Sequence, residues 1–154
     1  MLNNLNIFYK KKILIYGLGK SGLSVLKFLK KDNEIITYDD EKKINNKKIT
    51  KIEFDYIIIS PGIDINRCNL SKFLKNNLKK IYTDLDIFYS HHKENNKITI
   101  TGTNGKSTTA KILYDILKDQ KVDVRLVGNI GNPILLEKKV TRRTVFVIEA
   151  SSYQ

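Results

Sequence analysis

A glycine-rich loop between an apolar strand and a helical segment constrains the fold of this chain more than any other feature. The run Lys97–Ile100 leads into the loop Thr101–Gly105, and Lys106-Ser107 opens a segment with helical periodicity. This is the layout of a phosphate-binding loop, in which backbone N–H groups and the positive end of a helix surround an anion. The pattern predicts an α/β fold with a nucleotide phosphate site at this junction.

Several residues of this loop have a predicted role. The backbone N–H groups of Thr103–Ser107 point into one concavity, Lys106 reaches the outer phosphates, and Ser107 offers its hydroxyl to Mg²⁺. The spacing differs from the usual phosphate-loop pattern, because Ile100 stands where a further glycine is normal. The alternative is a plain glycine turn in which the Lys106 ammonium is only solvated.

An acidic residue follows the last apolar strand. The run Thr144–Ile148 has the pattern of a buried strand, and Glu149 comes directly after it. In phosphate-loop proteins an acid in this position holds Mg²⁺, either directly or through water, so Glu149 is the predicted second anchor. The alternative is a strand-end carboxylate that faces solvent.

A second glycine motif lies near the N-terminus. The strand pattern Lys12–Tyr16 is followed by Gly17–Gly22, a G-x-G-x-x-G sequence, then by a helix pattern and the strand Glu34–Tyr38. Asp39 stands about 20 residues after the first glycine, where the Rossmann pattern places an acid on the ribose hydroxyls. A complete dinucleotide fold needs a second such half, and the loop at Gly102 leaves no room for one. We therefore expect a mononucleotide ligand; a ligand-free turn and an NAD-linked reductase are the alternatives.

Two further strand ends carry turn residues. The buried strand Asp55–Ile59 ends in Ser60-Pro61-Gly62, which either presents backbone N–H groups at the sheet edge or is a plain turn. The strand Asp123–Val127 ends in another glycine loop, in which Asn129 either forms the turn or contacts a ligand.

Shorter elements complete the expected α/β order. Helices are expected at Leu70–Leu78, Leu85–Tyr89 and Lys106–Leu117, a strand at Ile81–Thr83, and a helix start at Ile134–Leu136. In the helix after the phosphate loop, Ala110, Leu113 and Leu117 form one apolar stripe. Ile112 and Ile116 lie beside that stripe, and we expect core packing to account for them as well.

The segment His91–Asn96 is the expected linker between two domains, residues 1–93 and residues 94–154. The first is expected to be Rossmann-like, and the second to be the incomplete start of a phosphate-loop domain. The adjacent His91 and His92 point in different directions and have no other His or Cys near them in sequence, so we do not expect a metal site there.

The composition narrows the classes of partner. The net charge is +12, but the basic residues are mostly lysines spread along the whole chain, and no aromatic-rich basic motif for nucleic acid appears. This charge still favours small anions such as nucleotides. Cys68 is the only cysteine, and no apolar run approaches the roughly 20 residues of a membrane span. We expect a cytoplasmic protein without a nucleic-acid, membrane or obligate protein partner.

Together these motifs resemble those of the Mur ligases. The blocks that carry the resemblance are TGTNGKST at Thr101–Thr108, GNIG at Gly128–Gly131, EASSYQ at Glu149–Gln154, GLGKSG at Gly17–Gly22 and SPGI at Ser60–Ile63. The block that begins at Glu149 is most similar to that of the D-glutamate-adding members. The resemblance implies peptidoglycan precursor synthesis: UDP-N-acetylmuramoyl-L-alanine is activated by ATP with Mg²⁺ as an acyl phosphate, and the amine of D-glutamate then displaces phosphate.

The resemblance also implies roles for individual residues. The predicted ATP-binding residues are Thr103, Asn104, Gly105, Lys106, Ser107, Thr108 and Thr109, with Lys106 and Glu149 catalytic and Ser107 and Glu149 at Mg²⁺. The predicted substrate-binding residues are Gly19, Lys20, Ser21, Asp39, Asp40 and Gly62 for the uridine diphosphate end, and Asn129, Ser151 and Gln154 for the muramoyl-alanine part. One departure is that Asp40 and Glu41 follow Asp39, where relatives often carry a hydroxyl or basic residue.

The family has three domains, and the resemblance covers the first and the start of the second. We therefore expect an inactive N-terminal fragment of such a ligase, without the C-terminal domain. The alternatives are a stand-alone module that binds a UDP-sugar or ATP without ligase chemistry, and another Mur ligase.

Overall fold

The computed structural model describes residues 7–41 and 46–151, and these residues fall into two compact units, residues 1–87 and 88–154. The expected domain boundary after residue 93 stays a prediction. Under either division the GLGKSG turn and the TGTNGKST loop belong to different units, and each unit is described here by itself.

Unit 1 contains a parallel sheet whose strand order is β2-β1-β3-β4. The strands are β1 (Lys12–Tyr16), β2 (Glu34–Tyr38), β3 (Tyr56–Ile59) and β4 (Ile81–Tyr82); the helices are α1 (Lys20–Leu29), α2 (Asn46–Ile49), α3 (Ser71–Asn76) and α4 (Asp84–His91), which runs into unit 2. The winding direction changes between β1 and β3. In open α/β sheets, ligands bind beside the carboxyl ends of the strands at such a point.

The core of unit 1 explains why its strands are continuous apolar runs. Leu14, Tyr16, Tyr38 and Ile57 are buried together on one side of the sheet, while Ile13 and its neighbours fill the other side. A parallel strand buried on both faces needs apolar residues at every position. The Tyr16 and Tyr38 rings meet edge to face with their centroids 5.0 Å apart. This packing brings the Tyr16 side chain to the carboxyl end of β1.

Unit 2 contains a second parallel sheet, with the order β5-β7-β6. Its elements are β5 (Lys97–Ile100), α5 (Lys106–Asp119), β6 (Val124–Gly128) and β7 (Val145–Glu149). The expected helix start at Ile134–Leu136 is wrong, because these residues form only a 3₁₀ turn and Glu137 is extended. The Glu137 carboxylate binds the side chains of Arg125 and Asn132, which holds the segment away from a helical path.

Helix α5 packs on the sheet with a narrower apolar face than the sequence pattern suggested. Ala110 is buried, and Leu113 and Leu117 pack against the same cluster. Ile112 and Ile116, however, are 55% and 54% exposed, so core packing does not account for them. Successive helical residues are separated by about 100°, which turns these two side chains away from the stripe. No helix in the described ranges is long and apolar enough to cross a membrane.

The two histidines have a packing role in the structure. His91 is the last residue of α4, so the connection to β5 begins one residue later than expected. The His92 ring lies 4.7 Å from the Phe88 ring and 5.3 Å from the Phe146 ring, centroid to centroid. Burial lowers the pKa of both imidazoles. Within residues 7–41 and 46–151, no group of three or more His, Cys, Asp or Glu could hold a metal ion.

Candidate nucleotide sites

The candidate site of unit 2 lies at the carboxyl ends of its three strands. Glu149, the last residue of the central strand β7, is in register with Ile100 on one side and Gly128 on the other. The phosphate loop begins one residue after Ile100, and the second glycine loop begins at Gly128. The strand order therefore places the acid between the two loops, although it lies 21 positions after Gly128 and 49 after Ile100 in sequence.

The backbone of the phosphate loop has the conformation that its glycines allow. Gly102 has φ +143° and Gly105 has φ +75°, and α5 begins at the very next residue. The loop residues Thr103–Gly105 are exposed, and the N-cap residue of α5 is Gly105, which has no side chain to cap the helix. The first-turn N–H groups and the helix dipole are thus directed toward the solvent side of the loop. The Lys106 ammonium donates a 3.3 Å hydrogen bond to the carbonyl oxygen of Thr103, which folds the lysine back over the loop.

Glu149 is the most unusual polar group of this site. The residue is only 4% exposed, and its Oε2 is fully buried without a hydrogen-bond partner in the described part of the chain. A buried oxygen left without a hydrogen-bond partner costs about 1–3 kcal/mol, and more when the group is charged. Since buried charges in proteins are normally paired or bound to metal, the arrangement fits a cation that residues 7–41 and 46–151 do not supply.

The second glycine loop is held tightly against the same strand end. Gly128 has φ +107°, and a Cβ atom there would lie 2.2 Å from the carbonyl oxygen of Glu149. The next residue, Asn129, donates its backbone N–H to that same oxygen over 3.0 Å and is exposed. Ser151 is half-buried, two residues past Glu149. Gln154 lies outside the described residues, and its predicted role stays a prediction.

The candidate site of unit 1 is the turn after β1. Gly17 has φ +90°, and its carbonyl oxygen accepts a 2.9 Å hydrogen bond from the Ser60 hydroxyl at the end of β3. A Cβ atom on Gly22 would lie 1.8 Å from the same Gly17 oxygen, so helix α1 packs directly against the turn. The segment Ser60–Gly62 is therefore more than a chain reversal, because the Ser60 side chain stabilises the glycine turn through this hydrogen bond. Sequence reasoning did not assign that role; its signal was a hydroxyl residue at the end of the strand next to the turn.

The two acids at the end of β2 are used differently. Asp39 accepts the backbone N–H of Leu18 on Oδ2 over 2.6 Å and the backbone N–H of Glu41 on Oδ1 over 3.1 Å. Asp40 accepts the Tyr16 hydroxyl on Oδ1 over 2.6 Å. Both strand-end acids thus lie near the glycine turn. Of the two, Asp39 accepts a hydrogen bond from the backbone of that turn, and Asp40 accepts one from the Tyr16 side chain.

The other predicted residues of this site occupy the same edge. Gly19 and Lys20 are exposed at the start of α1, Ser21 is half-buried in its first turn, and Gly62 is exposed after β3. Their predicted contacts with a nucleotide stay predictions.

Two glycines of this motif allow a matched test of the close packing. We expect Gly22→Ala to lower the free energy of unfolding of unit 1 by about 3 kcal/mol, because a backbone oxygen occupies the space that the new methyl group needs. Gly19→Ala is the control, since a Cβ atom there meets nothing within 4 Å and φ is −70°. It should cost less than about 1 kcal/mol, the difference between glycine and alanine as an N-cap. Urea denaturation measures both, and equal losses would contradict the proposed packing.

Fold and site together define a class: an α/β protein with two parallel sheets, one of which changes winding direction and one of which carries a loop with the layout of a phosphate-binding loop before a helix. The comparisons with known proteins agree with this class. Residues 100–154 match the family model of the Mur ligase middle domain. The chain is 36% identical to UDP-N-acetylmuramoylalanine--D-glutamate ligase of Rickettsia bellii, over 97% of this chain and 36% of that protein. It is 32% identical to the protein of the same name from Caldicellulosiruptor saccharolyticus, over 95% of this chain and 37% of that protein.

The chain belongs to the Mur ligase family, as the sequence motifs predicted. It spans little more than a third of the length of these relatives, 36% and 37%. A solved structure, the UDP-N-acetylmuramate:L-alanyl-gamma-D-glutamyl-meso-diaminopimelate ligase from Neisseria meningitides, superposes with a TM-score of 0.54 at 14% identity. That match covers 92% of this chain and 52% of the solved chain, and it supports the α/β fold.

Proposed function

We propose that this chain supplies the nucleotide-binding part of an ATP-dependent ligase that joins D-glutamate to UDP-N-acetylmuramoyl-L-alanine. The observation that carries the proposal is the buried Oε2 of Glu149, which has no hydrogen-bond partner among the described residues and lies one strand away from the start of a TGTNGKST loop. The similarity to D-glutamate ligases along 97% and 95% of this chain supports the choice of substrates.

In this proposal ATP lies over the loop of unit 2. The backbone N–H groups from Thr103 to Ser107 hold the phosphates, with Thr108 and Thr109 in the same first helical turn. Lys106 reaches the outer phosphates and balances charge as the substrate carboxylate oxygen attacks the γ-phosphorus and ADP leaves. The amine of D-glutamate then attacks the acyl carbon, phosphate leaves, and the nitrogen loses a proton.

Ser107 and Glu149 fit a magnesium site. Mg²⁺ is usually bound by one or two carboxylates together with substrate phosphates and water, so the single buried acid is sufficient. When bound, the ion neutralises charge on the phosphates and lets two anions approach each other. The task of the protein is to keep the Glu149 carboxylate in place, and the strand register and the Asn129 hydrogen bond to the main chain of Glu149 do so.

Unit 1 is proposed to bind the uridine diphosphate end of the substrate at its glycine turn. The first backbone N–H groups of α1, at Lys20 and Ser21, have no acceptor within the helix, and the Lys20 side chain is exposed beside them. Gly62 lies after β3, on the other side of the point where the winding direction changes. Asn129, Ser151 and Gln154 are proposed to contact the muramoyl-alanine part.

Calorimetric titration of the 154-residue chain tests the proposal. A non-hydrolysable ATP analogue should bind in the presence of Mg²⁺ and more weakly in EDTA, and UDP should bind without a metal requirement. NADH should not bind, which separates this function from the reductase alternative. A folded chain that binds neither the ATP analogue nor UDP would overturn the proposal.

A further inference from the structure

We infer that Asp40, held in place by Tyr16, is the carboxylate that contacts the nucleoside in unit 1, while Asp39 serves the glycine turn. This inference rests on the proposed nucleotide site and assigns separate roles to two acids that the sequence pattern treats as one feature. Tyr16 is then a positioning residue, since it acts through Asp40.

Both carboxylate oxygens of Asp39 already accept hydrogen bonds from the backbone. Its two oxygens accept the backbone N–H groups of Leu18 and Glu41, so the carboxylate links the glycine turn to the end of β2. A remaining lone pair of Asp39 could still accept a ligand hydroxyl, but only from the directions that the two backbone bonds leave open. Asp39 is also half-buried, so the usual ribose contact of the strand-end acid is less accessible to it than to the exposed Asp40.

Asp40, in contrast to Asp39, has an exposed carboxylate that accepts a side-chain hydrogen bond. The residue is exposed, and the Tyr16 hydroxyl is the one group in the described ranges that hydrogen-bonds its carboxylate, on Oδ1. Tyr16 itself is 0% exposed, and its ring is fixed in the core against Tyr38. Burial, together with the bond to Asp40, raises the pKa of the Tyr16 phenol, so the hydroxyl remains protonated and always donates. An ordered core residue thus sets the position of an exposed acid at the ligand-binding edge.

The chemistry of Asp40 defines what it can bind. An ionised carboxylate only accepts hydrogen bonds, and it repels phosphate. Asp40 therefore suits the neutral donors of a nucleoside, either the ribose hydroxyls or the imide N–H of uracil, and leaves the phosphates to Lys20 and the backbone of α1.

Titrations with UMP test this assignment in the 154-residue chain. We expect Asp40→Ala to weaken UMP binding about tenfold, the low end for one hydrogen bond to a charged group, and Tyr16→Phe about three- to tenfold, because Tyr16 acts only through Asp40. The double variant should be no weaker than Asp40→Ala alone, because Tyr16 acts through Asp40. 2′,3′-Dideoxy-UMP and N3-methyl-UMP identify the donor: the analogue that lacks it should bind wild type and Asp40→Ala equally.

Asp39→Asn provides the comparison within the pair. It should lower the melting temperature more than Asp40→Ala does, because it disturbs the turn.

If UMP binds to the wild type but Tyr16→Phe and Asp40→Ala bind it equally well, the assignment is overturned while the proposed nucleotide site stands. If Tyr16→Phe and Asp40→Ala weaken binding additively, the positioning role of Tyr16 is overturned. A wild-type chain that does not bind UMP overturns both the inference and the unit 1 site.

Discussion

Replacing Lys106 by alanine should weaken binding of the magnesium complex of an ATP analogue by about 10- to 100-fold. The expected loss follows from removing a charge-assisted hydrogen bond to phosphate, which is worth about 1.5–3 kcal/mol. The folded state should change little, because among the described residues the Lys106 ammonium bonds only to the Thr103 carbonyl, at the exposed loop. Isothermal titration calorimetry gives the affinity, and the melting temperature reports the fold.

Lys111→Ala is the matched control for this prediction. Lys111 lies on the same helix and is also cationic, but its ammonium is paired with Asp115. Its removal should leave ATP-analogue affinity within about twofold, since an exposed pair of this kind contributes well under 1 kcal/mol. Asp39→Ala, a change in unit 1, should also leave this affinity unchanged. Equal losses from Lys106→Ala and either control would contradict the assignment of the loop.

Glu149→Gln should raise the melting temperature of unit 2 in EDTA and at the same time remove the magnesium dependence of ATP-analogue binding. The variant removes a buried charge whose Oε2 has no partner in the described part of the chain. If removal of this charge stabilises unit 2 by about 1 kcal/mol, its melting temperature should rise by several degrees. Differential scanning calorimetry with EDTA, and titrations with and without Mg²⁺, measure the two effects.

Glu137→Gln is the comparison, because it removes a negative charge from an acid whose carboxylate has partners within the chain. The Glu137 side chain is 8% exposed; its Oε2 forms an ion pair with Arg125 Nε at 3.3 Å, and its Oε1 accepts a 2.8 Å hydrogen bond from Asn132 Nδ2. We expect this variant to lower the melting temperature, because it leaves a partly buried guanidinium without one of its anions. The two substitutions should therefore shift stability in opposite directions. If both destabilise the protein in EDTA, Glu149 is not an unpaired charge, and the metal role loses its support.

Much of the local structure could be predicted because the physical signals are local. Strands buried on both faces are unbroken apolar runs, and Gly, Pro, Asp and Asn mark where they end. The expected strands therefore agree with β1, β2, β3, β6 and β7 to within one residue at each end. The helix after the phosphate loop was placed correctly, but the exposure of Ile112 and Ile116 was not, because a periodic pattern does not show how wide the buried face is.

The candidate sites required information of longer range. Nothing near Glu149 in the sequence shows that β7 inserts between β5 and β6, yet this order places the acid beside the phosphate loop. The bond from Tyr16 to Asp40 and the bond from Ser60 to Gly17 likewise join residues 24 and 43 positions apart. Such pairings depend on the packing of the whole sheet, so no short window of sequence contains them.

By itself, the amino-acid sequence determined the α/β order, the three glycine motifs that begin at Gly17, Gly102 and Gly128, and the family to which the chain belongs, because each follows from residue types at short spacing. Only the tertiary structure decided that Glu149 is buried with Oε2 unpaired among the described residues, that Asp39 serves the turn, and that Asp40 is held by Tyr16. Burial and hydrogen-bond partners come from neighbours in space, and the fold alone brings those neighbours together.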